Sequence, residues 1–148
     1  MYKAIVRSQV RKAYERASAG DYQRILKDFH DDIRFQMMGE HGLSGERRGR
    51  AAVEAWFAEV AELFPDLRLE AQEIVVEGFP WHLRVATRFR VSSAAAGYEN
   101  LGMQFLRIRM GKAVEDRLYE DTRVLDEAIE RQRAALGTKP AAAPVPSG

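Results

Sequence analysis

The chain has 148 residues, 46% hydrophobic and 30% charged, and 23 Lys and Arg against 22 Asp and Glu leave a formal charge of +1. That is the length of one domain, enough to bury on the order of two-thirds of the unfolded surface. The charge balance argues against nucleic acid or a membrane as partner, the lack of cysteine excludes disulfides and thiolate chemistry, and no apolar run approaches the roughly 20 residues of a membrane span, so a cytoplasmic protein is expected.

Between residues 2 and 19, Val6, Val10, Ala13, Tyr14 and Ala17 recur at the spacing of one helical face, and Gly20 ends the helix. Asp21 predicts the N-cap of a shorter helix turning Tyr22, Ile25, Leu26 and Phe29 inward. Ile33, Phe35 and Met37 alternate with Arg34 and Gln36, the pattern of a strand with one buried face. Residues 39–45 read as a loop. Val53, Trp56, Phe57, Val60 and Phe64 predict a third helix over 50–63, stopped by Pro65. Strands follow near 67–77, 82–92, 101–110 and 112–120, the last two forming a hairpin about Met110-Gly111. A closing helix over 122–136 carries Leu125 and Ile129 on one side, and the Ala/Pro-rich stretch 137–148 reads as a disordered tail on a single domain of residues 1–136.

This order is α+β: a curved antiparallel sheet with helices packed on its concave face, enclosing a pocket. A regular two-residue turn at Met110-Gly111 assigns the hairpin's faces by parity. Gln104, Leu106 and Ile108 then share the pocket side with Glu115, Arg117, Tyr119 and Asp121. Met103, Phe105, Arg107 and Arg109 share the other side with Val114, Asp116, Leu118 and Glu120, including an expected Arg107–Asp116 pair, and this face suits water or a second copy. A homodimer through the outer sheet face is the expectation. Trp56, Phe57 and Met37 are candidates to shape a pocket for a small hydrophobic ligand. His41, in the glycine-rich loop, is either a ligand-binding group at the pocket mouth or a solvated loop residue. His30, His41 and His82 show no metal-ligand spacing, and no dinucleotide, Walker or nucleophile-elbow motif occurs, so neither metal nor cofactor is expected.

Several segments in order resemble one superfamily. They are Tyr14-Glu-Arg-Ala-Ser-Ala-Gly-Asp21, Leu26-Lys-Asp-Phe29 leading to Phe35, Gly49-Arg-Ala-Ala-Val53 with Trp56-Phe57 and Phe64-Pro-Asp-Leu67, and Met110-Gly-Lys112 with Tyr119-Glu-Asp121. Together they resemble the nuclear-transport-factor-2-like superfamily, in particular its SnoaL-like polyketide cyclase and ketosteroid isomerase branch. The resemblance implies a cystatin-like cone. It matches Tyr14 to the tyrosine that donates to the substrate oxyanion in ketosteroid isomerases, puts Met37 where their catalytic aspartate stands, and puts Gln104 at the second oxyanion donor. It also matches Asp121 to the general base of the cyclases. Asp121 could equally cap the helix that follows it, and Arg117 could either orient Asp121 or a ligand or pair with Glu115 or Gln104. The functional expectation is a cofactor-independent acid/base enzyme, a cyclase or isomerase, acting on a small hydrophobic carbonyl compound of polyketide or terpenoid type. Its base would be Asp121, with Tyr14 and Gln104 bonded to the enolate oxygen and Arg117 and Tyr119 beside the ligand. A non-catalytic small-molecule-binding or assembly module of the same fold is the alternative. A limonene-type epoxide hydrolase is a third reading, in which Arg88 and Arg90 lack an adjacent acid in the sequence.

Overall fold

The computed structural model describes residues 1–137, so the expected tail lies, beyond Gly137, outside the described residues. The elements are α1 (Tyr2–Ser18), α2 (Tyr22–Leu26), β1 (Phe29–Met37), β2 (Gly45–Arg48), α3 (Arg50–Leu63), β3 (Arg68–Phe79), β4 (His82–Ser93), β5 (Tyr98–Arg109), β6 (Lys112–Glu120) and α4 (Thr122–Leu136). The six strands form one sheet in the order β2-β1-β6-β5-β4-β3. All neighbours are antiparallel except β1 and β6, which run parallel. Strand β2, between the expected loop over 39–45 and the helix over 50–63, was not foreseen. Gly45 to Arg48 pair with Met37 to Arg34, so the run of cations before α3 belongs to an edge strand, where charged side chains discourage further pairing.

Local chemistry accounts for the helix ends. The Asp21 carboxylate accepts from the Arg24 amide and starts α2, while Gly137, at φ 66°, closes α4 in the left-handed conformation that glycine adopts without a side-chain clash. The core lies between the helices and one sheet face. Phe35, Phe89, Ile33, Met37, Ile129, Val53 and Val85 are its most completely buried large side chains. From α4, Leu125, Ala128 and Ile129 turn inward, and Gln132 donates to the carbonyl of Leu63 at the end of α3, so this helix covers one end of the cone.

The hairpin departs from its expected register. Near the turn, Arg109 faces Lys112 and Ile108 faces Ala113, as a regular two-residue connection requires, but Arg107 faces Glu115 rather than Val114. The extra residue is a β-bulge. From there to the end of the strand the pairing is displaced by one position: Leu106 faces Asp116, Gln104 faces Leu118 and Gly102 faces Glu120. Because side chains alternate with period two, a one-residue slip exchanges the faces of all that follow. Asp116, Leu118 and Glu120 therefore belong to the cavity side, and Glu115, Arg117 and Tyr119 to the outer side. The expected parity holds for β5 and is corrected for β6.

Candidate functional site

Between helices and sheet lies a cavity of about 380 Å³, within the range of small-molecule sites. Its walls are mostly apolar. Tyr22 stacks on Phe57 with centroids 4.8 Å apart, and Trp56 packs on Phe35 at 4.6 Å. The indole Nε1 of Trp56 donates to the Leu43 carbonyl at 2.9 Å, which holds the ring in the wall. Met37 completes this side beside Leu118.

Two polar clusters interrupt the apolar lining. In the first, the Tyr14 hydroxyl on α1 donates to Gln104 Oε1 at 2.8 Å, and Gln104 Nε2 donates to both oxygens of Asp116 at 3.0 and 3.2 Å. Asp116 is only 2% exposed. Desolvation pushes its carboxyl up to about 7 against the opposing effect of the Gln104 bond. Burial and the nearby charge of Asp116 push the Tyr14 phenol above its ordinary value, so it remains a proton donor at physiological pH. Thr87, facing Gln104 across β4 and β5, is fully buried, and its hydroxyl has no partner of normal hydrogen-bond geometry among the described residues.

In the second cluster, the Tyr98 hydroxyl donates to Glu120 Oε1, and Asn100 Nδ2 donates to the Tyr98 oxygen at 3.1 Å and to Glu120 Oε1 at 3.4 Å. Desolvation also raises Glu120 to about 7, opposed by the bonds from Tyr98 and Asn100. Four residues along one strand separate the Cα atoms of Asp116 and Glu120 by about 13 Å. The cavity thus presents two carboxyl groups that change charge near neutrality.

The structure brings together Tyr14, Gln104, Trp56, Phe57 and Met37 around this cavity. It does not bring Asp121 there. Asp121 is exposed and its carboxylate accepts from the amides of Arg123 and Val124 at 3.2 and 3.4 Å, so it is the N-cap of α4. Arg117 and Tyr119, displaced by the bulge, lie on the outer face, where Arg117 and Arg107 bond Glu115 at 2.7 and 3.3 Å in place of the expected Arg107–Asp116 pair. Nor does His41 line the cavity or sit in solvent. It is buried in its loop, accepts from the Leu43 amide on Nδ1 and donates from Nε2 to the Met38 carbonyl, and burial lowers its pKa. Acids do stand beside Arg88 and Arg90, namely Glu73 and Glu99 on neighbouring strands, and both pairs are exposed.

Sequence reasoning missed Asp116, Glu120, Tyr98 and Asn100. The bulge that exchanges the faces occurs at Val114, an ordinary strand residue with no turn or glycine signal. Leu118 opposes Met37 on the parallel strand, which fixes the face of Asp116 and Glu120, but that pairing exists only once β1 and β6 lie side by side.

The comparisons agree with this architecture. A protein from Burkholderia pseudomallei, NTF2-like and of unknown function, superposes with a TM-score of 0.68 at 24% identity, over 82% of this chain and 95% of the other. TerC, crystallised with polyporic acid, superposes at 0.59 and 26% identity over 80% and 96%. A Sinorhizobium meliloti protein proposed to be a polyketide cyclase does so at 0.59 and 17% over 71% and 87%. No curated protein matches the chain. The family model for the SnoaL-like domain matches residues 10–116, from the cavity face of α1 through Asp116 itself, and with most of the chain under that model the protein belongs to the SnoaL-like domain family of the NTF2-like superfamily.

Proposed function

We propose that the protein is a cofactor-independent acid/base enzyme, a cyclase or isomerase, acting on a small hydrophobic carbonyl compound, with Asp116 rather than Asp121 as its base. One observation carries this reading. A carboxyl group poised near pH 7 faces an apolar cavity and is held there by the Gln104 amide, which is the condition a general base needs to remove a proton from a weak carbon acid at neutral pH. The family and two of the structural neighbours, one proposed to be a polyketide cyclase and one crystallised with polyporic acid, support the class of chemistry.

In this mechanism Asp116 removes a proton from the carbon beside the substrate carbonyl. Tyr14 donates to Gln104 and Gln104 to Asp116, so the two are positioning residues rather than donors to the enolate. Tyr14 occupies Oε1 of the amide and thereby turns Nε2 toward the base. Glu120, protonated in part of the population, is the second proton-carrying group and returns a proton at the other end of the cavity. The outer sheet face, with Leu101, Met103 and Tyr119 exposed, is the surface through which two copies pair.

Deuterium exchange tests the base even while the natural substrate is unidentified. In D2O, with a panel of cyclic and polycyclic ketones, the protein accelerates α-proton exchange of at least one member, and Asp116→Asn slows it by about 10²–10⁴-fold. Undiminished exchange in that variant removes Asp116 as base. The mutual satisfaction of Tyr14, Gln104 and Asp116 favours a second reading, a plain binding module. That reading requires saturable ligand binding with no exchange in either form.

A further inference from the structure

The cavity wall includes Asp28, Pro80 and Gly111, so the cavity extends to the end of the cone where the two hairpin turns lie. Those turns are contiguous. His82 faces Arg109 across β4 and β5, and the Met110 amide donates to the Trp81 carbonyl at 3.0 Å. The N-terminus of α1 joins them through the Tyr2 hydroxyl, which bonds the Gly78 carbonyl, and the turn before β1 joins them through Lys112 Nζ on the Lys27 carbonyl and the Ala113 amide on the Asp28 carbonyl.

Three large apolar side chains project from this rim. Phe79 is 64% exposed, Trp81 59% and Met110 80%, and the Phe79 and Trp81 rings stack at 5.2 Å, nearly parallel. Met110 sits at φ 49° at a turn position that asparagine, aspartate or glycine adopts more readily. Around the apolar group stand the exposed Lys27, His82, Arg109 and Lys112. The acids at this end, Glu77 and Asp28, are paired with Arg84 and Arg24. A chain that is nearly neutral overall therefore gathers cations around an aromatic rim, with no ion pair to neutralise them among the described residues.

We infer that this rim docks on an anionic lipid surface, with Trp81, Phe79 and Met110 inserted at headgroup depth and Lys27, Arg109 and Lys112 on the lipid phosphates, so that the cavity opens toward the membrane. Aromatic and basic side chains combined on one small face are the composition by which proteins lie on anionic bilayers, and each surface cation is worth roughly a fivefold gain in partition. The inference is independent of whether the cavity is catalytic.

Co-sedimentation with vesicles of phosphatidylcholine and phosphatidylglycerol tests it. The protein pellets with the mixed vesicles, pellets at least tenfold less with pure phosphatidylcholine, and is released by about 0.5 M salt, because screening shortens the reach of the cations. Phe79→Ser with Trp81→Ser, and separately Arg109→Glu with Lys112→Glu, each reduce binding at least tenfold while leaving the circular dichroism spectrum and cavity uptake of an apolar dye unchanged. Trp81 emission shifts to shorter wavelength on the vesicles and the shift is lost in Trp81→Phe, since Trp56 is already buried. Failure of the unmodified protein to bind the mixed vesicles overturns the inference, whether or not it is retained by an immobilised acidic protein. Binding that survives both double substitutions overturns it as well.

Discussion

Asp116 is a carboxyl group that folding makes harder to ionise, and both its chemistry and its cost follow from that. An unfolded aspartate titrates near 3.9, whereas this one titrates at about 7 in the folded chain. Between those values the folded state holds a proton that the unfolded state has lost, so its contribution to stability falls as pH rises from about 4 to about 7 and is level above. Asp116→Asn escapes the penalty. It should be more stable than the parent by a few kcal/mol, to order of magnitude, at pH 8, with the gain vanishing near pH 4, as urea denaturation at the two pH values will show. A difference independent of pH would mean that Asp116 is not buried as an acid. Turnover has a different profile: Asp116 must be ionised and Glu120 must still hold the proton it returns, so the rate should climb with pH toward about 7 and fall again above it, a bell whose rising limb Asp116→Asn abolishes. Asp121 provides the contrast within a few residues. As a helix cap, its replacement by alanine should cost about 1 kcal/mol of stability and leave exchange kinetics intact, whereas a fall in exchange comparable to that of Asp116→Asn would return the base to Asp121. Residue type alone could not choose between the two aspartates, since the choice depends on which side of a sheet each one faces.

Strand β6 is where the element scale decides the site. Its sequence reads as a regular alternation after a turn at Met110-Gly111, and the turn holds in the structure, yet one extra residue at Val114 breaks the alternation and exchanges the faces of all that follows. No propensity marks that bulge, because it arises where β6 must pair with β5 on one side and with the irregular start of β1 on the other. Gly102 shows how closely the second polar cluster is packed. A Cβ there would stand 2.5 Å from Phe89 Cζ, 2.6 Å from the Tyr119 carbonyl oxygen and 2.9 Å from Glu120 Cγ. Since a backbone carbonyl cannot swing aside, Gly102→Ala should destabilise the protein by about 1–3 kcal/mol, measurable as a lowered denaturation midpoint, and should displace Glu120. An unchanged midpoint would show that β5 and β6 can separate there. Helices α1, α3 and α4, by contrast, were legible almost to the residue, because apolar spacing and Pro65 are local signals; α2 starts after Asp21 as expected but ends at Leu26, and Phe29, expected on it, begins β1 because its backbone pairs with β6.

At the scale of the whole molecule, the sheet's two faces divide the work: one closes over the cavity, and the other carries Leu101, Met103 and Tyr119 in solvent among paired charges. If two copies meet there, Met103→Glu should convert a dimer into a monomer by sedimentation or light scattering, with the cavity unaffected; a parent chain already monomeric at micromolar concentration would exclude the pairing. The α+β architecture, most of the helices and the apolar wall of Met37, Trp56 and Phe57 could be read from amino-acid order, since they rest on periodicity and short-range signals that each segment carries, and the family from the resemblance of successive segments to its members. Which acids face the cavity, that Asp121 caps a helix, that His41 is enclosed in its loop, and that dispersed cations gather at one rim became visible only in the folded chain. Those outcomes depend on register and on contacts between distant segments, and a single bulged residue reverses the first of them without altering any pattern a local reading can detect.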